Sequence, residues 1–386
     1  MEIIFITLGF RPYRFSGFDI SGERLVDALV QRGHQVTVVS AVPDSRGITV
    51  EKATERNLII YRLALTPLNW IAYSVLASRT VYGLVHKRSA VVHFWDIYFA
   101  YPFFGNFVAT LHHSFRQRRL ILKYQNIIGA QKVLKSFYYW FSQNLAETPA
   151  LRRARGLMAV SHSTQSEYIR HYCVPNSKVI LTPHGIDTDH FMPVNNREIR
   201  HQYHIDQKEK VILFSGFFNP RKGIETLVQA LGLIKKPYIL ALTGRWQDET
   251  YRARITALAN KLGVKVIELG YVPEDQLPSI YSMADVYVSP SLVEGFGLPM
   301  AEALACELPV IATDVGASRE VVGPGGYLVP PSNPEALARA IETILEAPEL
   351  RREMGKNGRQ HVVQNFNPQT MVEKTLHAYA YFLSID

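Results

Sequence analysis

Ala284-Asp-Val-Tyr-Val-Ser-Pro-Ser-Leu-Val-Glu-Gly-Phe-Gly-Leu-Pro-Met-Ala-Glu302 carries the architecture of this chain in nineteen residues. Ala284 to Ser291 reads as a buried strand, Glu294-Gly-Phe-Gly297 as a glycine turn, and Pro299 suits the first helical position, where its missing N–H costs nothing. That places Glu302 in the first helical turn. Gly295 and Gly297 keep side chains out of the way, so backbone N–H groups and the positive helix end can approach anionic oxygens. Glu294 and Glu302 cannot themselves hold phosphate. A carboxylate accepts hydrogen bonds and can take a vicinal diol in bidentate fashion. Sugar hydroxyls beside a diphosphate describe a nucleotide sugar.

Outward from this unit the same alternation of strand and helix repeats. The second half starts at Val211-Ile-Leu-Phe-Ser-Gly216, followed by a helix through 224–233, a strand through 238–243, a helix through 251–262 and a strand through 266–269. The first half opens with strand 3–8, a loop, a helix near 21–31 closed by Gly33, and strand 35–40, which implies a parallel pair with a right-handed crossover. Further strands are expected at 58–62, 91–94, 108–111, 156–160 and 178–181. The fold class is therefore α/β, with one doubly wound sheet in each half. The halves meet near 187–207, where Asp187-Thr-Asp-His-Phe-Met-Pro-Val-Asn-Asn mixes turn formers with polar residues. A ligand is expected in a cleft between them, at the carboxyl ends of the strands.

At 386 residues the chain is long enough for two domains, each burying its own core, and 47% apolar against 20% charged residues makes it globular rather than disordered. Cys173 and Cys306 fall in separate halves without metal-ligand spacing, which argues for a reducing compartment and against zinc. The start, Met-Glu-Ile-Ile-Phe-Ile, reads as a strand rather than a signal peptide, so a cytoplasmic location is expected. The apolar run 90–111 contains His93, Asp96, Pro102, Gly105 and Asn106, poor occupants of a lone spanning helix, and is read as two buried strands.

Net charge is +8, and its place matters more than its size: between Phe115 and Gly156 nine Lys or Arg stand against one acid, Glu147. Beside them lies Phe137-Tyr-Tyr-Trp-Phe141. Basic residues next to aromatics suit an anionic membrane surface, at the inner face of the membrane for a cytoplasmic protein, or else a solvated helical face over a core. No nucleic-acid motif accompanies the charge, so nucleic acid is not expected as a partner.

The run 287–305, continued by Leu308-Pro-Val-Ile-Ala312 and Gly316-Ala-Ser-Arg-Glu320, resembles the retaining group 1 glycosyltransferases, the GT4 family with the GT-B fold. Further landmarks follow in the family's order over nearly the whole chain: a glycine loop after the first strand, Arg32-Gly-His-Gln-Val-Thr-Val38, Val108-Ala-Thr-Leu-His112, Pro183-His-Gly-Ile-Asp187 and Pro220-Arg-Lys-Gly223. The resemblance implies an N-terminal acceptor-binding domain, 1–190, a nucleotide-sugar-binding domain, 191–365, and a final helix, 366–386, that crosses back onto the N-terminal domain. It implies transfer of a sugar from a UDP- or GDP-type donor to an acceptor hydroxyl on a glycan, a lipid-linked glycan or a small molecule. The anomeric configuration is retained, with neither cofactor nor metal.

Residue roles follow from the same resemblance. Glu302 takes the ribose hydroxyls and Glu294 the donor sugar, with the backbone of Phe296, Gly297 and Leu298 near sugar and phosphate and Tyr271-Val272 near the base. His112 contacts the donor sugar and helps stabilise the cationic transition state. Gly17 is the second glycine of the first-strand loop, and Ser16 stands where the first would be. A phosphate-clamping arginine is expected after Gly216, but Phe217 occupies that position, so Arg221 is proposed to substitute beside Lys222. On the acceptor side His93, Asp96, Tyr98 and His113 are candidates by position. The alternatives are a nucleotide-sugar epimerase or phosphorylase on the same fold, or a non-catalytic nucleotide-sugar-binding protein. A Rossmann dehydrogenase is not expected, because no G-x-G-x-x-G follows the first strand.

Overall fold

The computed structural model describes residues 1–14, 17–42, 51–55, 57–64, 70–85, 90–120, 122 and 129–384; Ser16 and Lys123 lie outside them. The chain divides into two compact units, one formed by Met1–Leu122, Ile127–Gly185 and Pro368–Asp386, the other by Ile186–Asn367. Their borders fall a few residues from the expected 190/191 and 365/366. Backbone pairing places them there: Ile186 N–H donates to Phe366 C=O within the second unit, while Gly185 N–H meets the Met371 sulfur within the first.

The first unit holds an eight-stranded sheet. Its strands are β1 (Glu2–Ile6), β2 (Gln35–Val42), β3 (Glu51–Glu55), β4 (Leu58–Ala64), β5 (Val91–Phe94), β6 (Val108–Leu111), β7 (Gly156–Ala159) and β8 (Val179–Leu181), in the order β3-β4-β2-β1-β5-β6-β7-β8. All pairs are parallel except the edge hairpin β3–β4, which the sequence reading missed. Successive residues of β1 serve opposite cores, Ile3 and Phe5 one face, Ile4 and Ile6 the other. This period of two, with both faces covered by helices, is why the strand reads as a continuous apolar run.

The last helix, Pro368–Ser384, packs in the first unit, with Met371, Val372, Tyr379 and Phe382 buried against the face that also receives Leu25 and Leu29 of the first helix, Gly17–Gln31. His93 fastens it. The ring lies wholly in the core, Nδ1 bonded to Tyr379 Oη at 2.7 Å and Nε2 to Thr110 Oγ1 at 2.8 Å. His93 is therefore not an acceptor contact as expected: both ring nitrogens are engaged and no atom reaches the surface. The first helix also starts earlier than expected, so Gly17 is its first residue rather than a loop residue.

The second unit holds β9 (Val211–Phe218), β10 (Ile239–Trp246), β11 (Val266–Gly270), β12 (Val286–Ser289), β13 (Val310–Thr313) and β14 (Gly326–Val329), all parallel, in the order β11-β10-β9-β12-β13-β14. The order reverses between β9 and β12. In such sheets ligands bind at the carboxyl ends of the strands beside this reversal, and the loops that leave β9 and β12 carry Lys222 and Glu294.

Candidate active site

β9 ends at Phe218, and Pro220–Lys222 forms a single tight turn that Gly223 closes with φ 66°. A side chain at Gly223 would put its Cβ 1.9 Å from Pro290 C=O, so only glycine lets this turn close onto the loop after β12. Leu292 N–H donates to Arg221 C=O at 2.8 Å and ties the two loops together. Lys222 and Glu294 meet across the contact, Nζ to Oε2 at 2.6 Å, the carboxylate buried and the lysine side chain 13% exposed, and Ser291 Oγ donates to the same oxygen at 3.2 Å. Burial pushes the Glu294 carboxyl up, but Lys222, Arg221 and the two hydrogen bonds outweigh it, and the group titrates below the usual carboxylate range. Burial lowers the pKa of Lys222 against the attraction of Glu294. Arg221 turns its Nη1 to Val293 C=O at 3.3 Å, beside the pair.

The signature helix runs Leu298–Ala305, capped by Gly297 at φ 94°. Pro299 is therefore its second residue and Glu302 its fifth, one place beyond the first turn, because the helix begins one residue earlier than the proline suggested. Glu302 accepts a hydrogen bond from Tyr281 Oη at 2.7 Å, which fixes its carboxylate. Phe296 is core, packed edge-on against Phe366, and Leu298 is buried, so these two positions can offer a ligand only backbone groups. Gly216 has φ 141° within β9, Val272 is buried, and Tyr271 is exposed. Lys222, Arg221, Glu294, Glu302, Gly216, Gly297 and Tyr271 thus share one end of one sheet.

The carboxyl ends of the first sheet carry a neutral cluster. His112, just past β6, stacks on His184 at 5.2 Å between ring centroids and on Phe18 at 4.7 Å, with Trp95 edge-on at 5.1 Å. Its Nε2–H donates to Trp95 C=O at 2.6 Å, and burial drives its pKa down to about 4 although that bond opposes the change. The imidazole is neutral near pH 7, and Nδ1, buried and without a hydrogen-bond partner among the described residues, is left as a pure acceptor. His184 Nδ1 bonds to Ser21 Oγ at 2.7 Å. The preceding loop is strapped to the first helix by two bidentate pairs, Arg11 with Asp27 and Arg14 with Glu23, each closing to 2.7 Å.

The other acceptor-side candidates have structural duties. Asp96 caps the short 3₁₀ turn Ile97–Ala100 by accepting from Tyr98 N–H at 3.2 Å, and burial raises its pKa to about 7. Tyr98 Oη donates to His113 C=O, and His113 Nε2 meets Arg118.

Several cations of the basic window are half-buried and partnered within the first unit. Arg118 lies over the Tyr98 and Phe115 rings, Arg116 pairs with Glu167, Arg153 lies over Phe104, and Arg155 bonds to Phe382 C=O. The lone acid, Glu147, sits in the core, where it accepts from Phe115 N–H, Tyr168 Oη and Tyr172 Oη; burial lifts its pKa to about 8. Lys132, Lys135 and an uncovered apolar face remain on the helix Ala130–Ser142: Val133, Leu134, Phe137, Trp140 and Phe141 are exposed there, Phe137 by 58%.

Sequence reading missed Ser291, Tyr281, His184 and Phe18. Ser291 stood inside the quoted motif, but its bond to Glu294 depends on how the loop folds, and the other three approach their partners only through tertiary structure. Asp187-Thr188-Asp189, quoted above only as part of the boundary, is also an Asp-x-Asp spacing. Asp187 Oδ1 there accepts from Asp189 N–H and His190 N–H, closing a turn, and no group of three or more His, Cys, Asp or Glu able to hold a metal ion occurs among the described residues.

Residues 195–361 match the family Glycosyl transferases group 1 and residues 17–190 match Glycosyltransferase Family 4. The O-antigen chain mannosyltransferase B of Escherichia coli is 29% identical over 238 residues, 60% of this chain and 61% of that protein. The chain thus spans about three fifths of the length of that curated relative. Among solved structures, the sucrose-phosphate synthase of Thermosynechococcus elongatus superposes with a TM-score of 0.81 at 26% identity over 100% of both chains. Anabaena HepE in complex with UDP-glucose does so with a TM-score of 0.75 at 18% identity, over 98% of this chain and 99% of that one, a likeness of fold. With one family matched by each unit and the Lys222–Glu294 pair set where the second sheet reverses its order, the chain belongs to the group 1 glycosyltransferases.

Proposed function

We propose that this protein transfers a hexosyl group from a UDP- or GDP-type sugar to an acceptor hydroxyl, with retention of anomeric configuration and without a metal ion or cofactor. The Lys222–Glu294 pair, with its carboxylate buried and its ammonium partly open, carries the reading. It supplies a cation for a departing diphosphate and a carboxylate for sugar hydroxyls within one hydrogen bond of each other. Glu302, held by Tyr281, is the acceptor group for ribose hydroxyls. In the reaction the bond from the anomeric carbon to the diphosphate oxygen breaks, the acceptor oxygen bonds to that carbon on the same face, and the acceptor proton passes to the leaving phosphate. Negative charge then grows on the diphosphate, where Lys222, Arg221 in place of the arginine absent at 217, and the N–H groups opened by Gly297 stabilise it. The neutral His112, with only Nδ1 to offer, accepts a hydrogen bond from a sugar hydroxyl once Phe18 moves off the ring. It does not donate a proton. The relatives named above, a mannosyltransferase and a UDP-glucose-binding protein among them, support this class of donor and a role in cell-envelope polysaccharide, glycolipid or specialised glycoside synthesis.

The test is a panel of nucleotide sugars, first in thermal shift and then in turnover with glycan, lipid-linked and small-molecule acceptors. A ligand that binds only the native state at 100 times its Kd adds about 2.7 kcal/mol of stability. Donor consumed only with acceptor, the α- or β-linkage preserved and EDTA without effect, is the expected result. Donor isomerised alone marks an epimerase, and donor bound but never consumed marks a binding protein.

We infer further that the helix Ala130–Ser142 rests on an anionic membrane surface, the cytoplasmic leaflet. Its exposed face combines Phe137, Trp140 and Phe141 with Lys132 and Lys135, an apolar stripe with a cationic rim. Each cation near anionic headgroups contributes about 1 kcal/mol. No helix among the described residues is long and apolar enough to cross a membrane, so contact would be interfacial. Lys132→Glu with Lys135→Glu should release the protein from vesicles containing phosphatidylserine in sedimentation; unchanged pelleting, or pelleting equal on neutral vesicles, refutes the idea.

A further inference from the structure

Past the end of β6 the chain runs through His112 and His113 into a short helix, Phe115–Leu120, which carries Arg116 and Arg118. The two guanidiniums keep different company. Arg116 reaches Glu167 at 3.2 Å and is a paired cation. Arg118 is half-buried, and among the described residues it has neither a carboxylate within ion-pair distance nor any oxygen acceptor. Its hydrogen bond goes to His113 Nε2, and its guanidinium carbon lies 5.3 Å from the centroid of the Tyr98 ring and 5.2 Å from that of Phe115. A guanidinium has five N–H donors and accepts nothing, so most of this fork is uncommitted.

The acids of the same region compensate this charge only in part. Asp96 gives one oxygen to Tyr98 N–H, and burial raises its pKa to about 7 although Arg118 pulls it down. Glu147 is engaged by Phe115 N–H, Tyr168 Oη and Tyr172 Oη, and burial lifts it to about 8. Near pH 7 neither is a full anion, and a half-buried cation without one is costly. The position joins Arg118 to the site. The Phe18 ring that lies 4.7 Å from His112 lies 5.9 Å from His113, and Tyr98 Oη donates to His113 C=O, so His112, His113 and Arg118 stand together past the carboxyl ends of β5 and β6.

We propose that Arg118, steadied by His113 and Tyr98, receives a phosphate group carried by the acceptor, so that the hydroxyl glycosylated belongs to a phosphate ester. The inference rests on the glycosyl-transfer reading above. A phosphate takes two parallel N–H bonds from a guanidinium, which fixes the direction of the molecule as well as holding it. An uncharged glycan or alcohol would leave the cation without its anion. The phosphate can belong to a soluble monoester or to the diester of a lipid headgroup.

The experiment is calorimetric titration of the protein already saturated with UDP or GDP, which occupies Lys222 and Arg221. The titrants are inorganic phosphate, glycerol 3-phosphate as the soluble monoester, glycerophosphoinositol as the headgroup diester, and glycerol as the uncharged control. The wild type is expected to bind phosphate and one of the two esters but not glycerol, and the ester that binds names the source. Arg118→Gln should weaken that binding about 10–100-fold, the range for hydrogen bonds to a charged group. Arg118→Lys keeps the cation without the fork and should fall between them; it carries the test if Arg118→Gln does not fold. In transfer assays inorganic phosphate should compete with the acceptor and not with the donor. A wild type that binds no phosphate, an Arg118→Gln that binds it as the wild type does, or competition with the donor alone overturns the assignment while nucleotide binding stands. If the wild type binds neither UDP nor GDP, the glycosyl-transfer reading falls and this inference with it.

Discussion

Both sheets carry a polar cluster at the carboxyl ends of their parallel strands, one of which is charged and the other neutral. In the second unit an ammonium and a carboxylate are paired at 2.6 Å; in the first, two stacked imidazoles held neutral by burial lie among Phe18 and Trp95. The difference teaches what each can do. An ammonium that spends one donor on Glu294 keeps others for a developing anion, whereas a neutral imidazole whose Nε2–H is committed to Trp95 C=O can only accept. On the function proposed above, the second unit would serve the departing group and the first would accept from a hydroxyl.

The sharpest way to break this contrast is at Lys222. Lys222→Met leaves Glu294 buried without its main partner, which should cost about 3–5 kcal/mol of stability in urea melts and slow transfer about 10²–10³-fold. Adding Glu294→Leu removes the orphaned charge. The double variant should regain most of the stability and none of the activity. If stability and rate recover together, the pair is a structural strut and the catalytic reading is lost.

A smaller effect is expected at His112. His112→Ala deletes the acceptor and should reduce kcat/KM about 10–100-fold, the range for a polar group left without its partner. His112→Asn, whose Oδ1 can stand near the place of Nδ1, should retain part of the lost rate. Since His112 already titrates near pH 4, neither variant should move the pH profile between 6 and 8. A profile that shifts with His112→Asn would mean the ring works as an acid, contrary to its neutral state.

How legible was all this in the sequence? The strand–glycine turn–helix unit at 284–305 made the parallel sheet legible because Gly297, the proline and the apolar runs act locally; Glu294 and Glu302 lie in that unit, while Lys222 entered through the separate stretch Pro220-Arg-Lys-Gly223. The edge hairpin β3–β4 was not legible, since Glu51-Lys-Ala-Thr-Glu55 has no apolar alternation and is held by its pairing with β4. Nor was the fate of the basic window. Charge counting treats Arg118 and Arg155 as free surface cations, yet one lies over aromatic rings and the other clasps the end of the last helix. His93 shows the same limit from the other side: a histidine one residue before the end of a strand in a motif-rich half invites a ligand role, and only the return of the last helix, with Tyr379, turns it into a fastener.

That fastener allows the mildest test of the neutral cluster. Burial lowers the His93 pKa to about 3, with His112 adding to the effect, against about 6.5 in the unfolded chain. A folded-state pKa below the unfolded value means that the unfolded chain binds the proton first as pH falls, so this histidine's contribution is intact above about 6.5 and erodes below it. Asp96 and Glu147, whose raised pKa values act with the opposite sign, mask the trend in the wild type alone. The difference between wild type and His93→Gln cancels them. At pH 7.5 the variant should be less stable, having lost well-placed bonds to Thr110 and Tyr379. Below pH 6 the gap should narrow by about 1.4 kcal/mol per pH unit. Denaturant melts at pH 7.5, 6.0 and 5.0 measure it, and a gap that stays constant or widens would show that His93 is charged in the core.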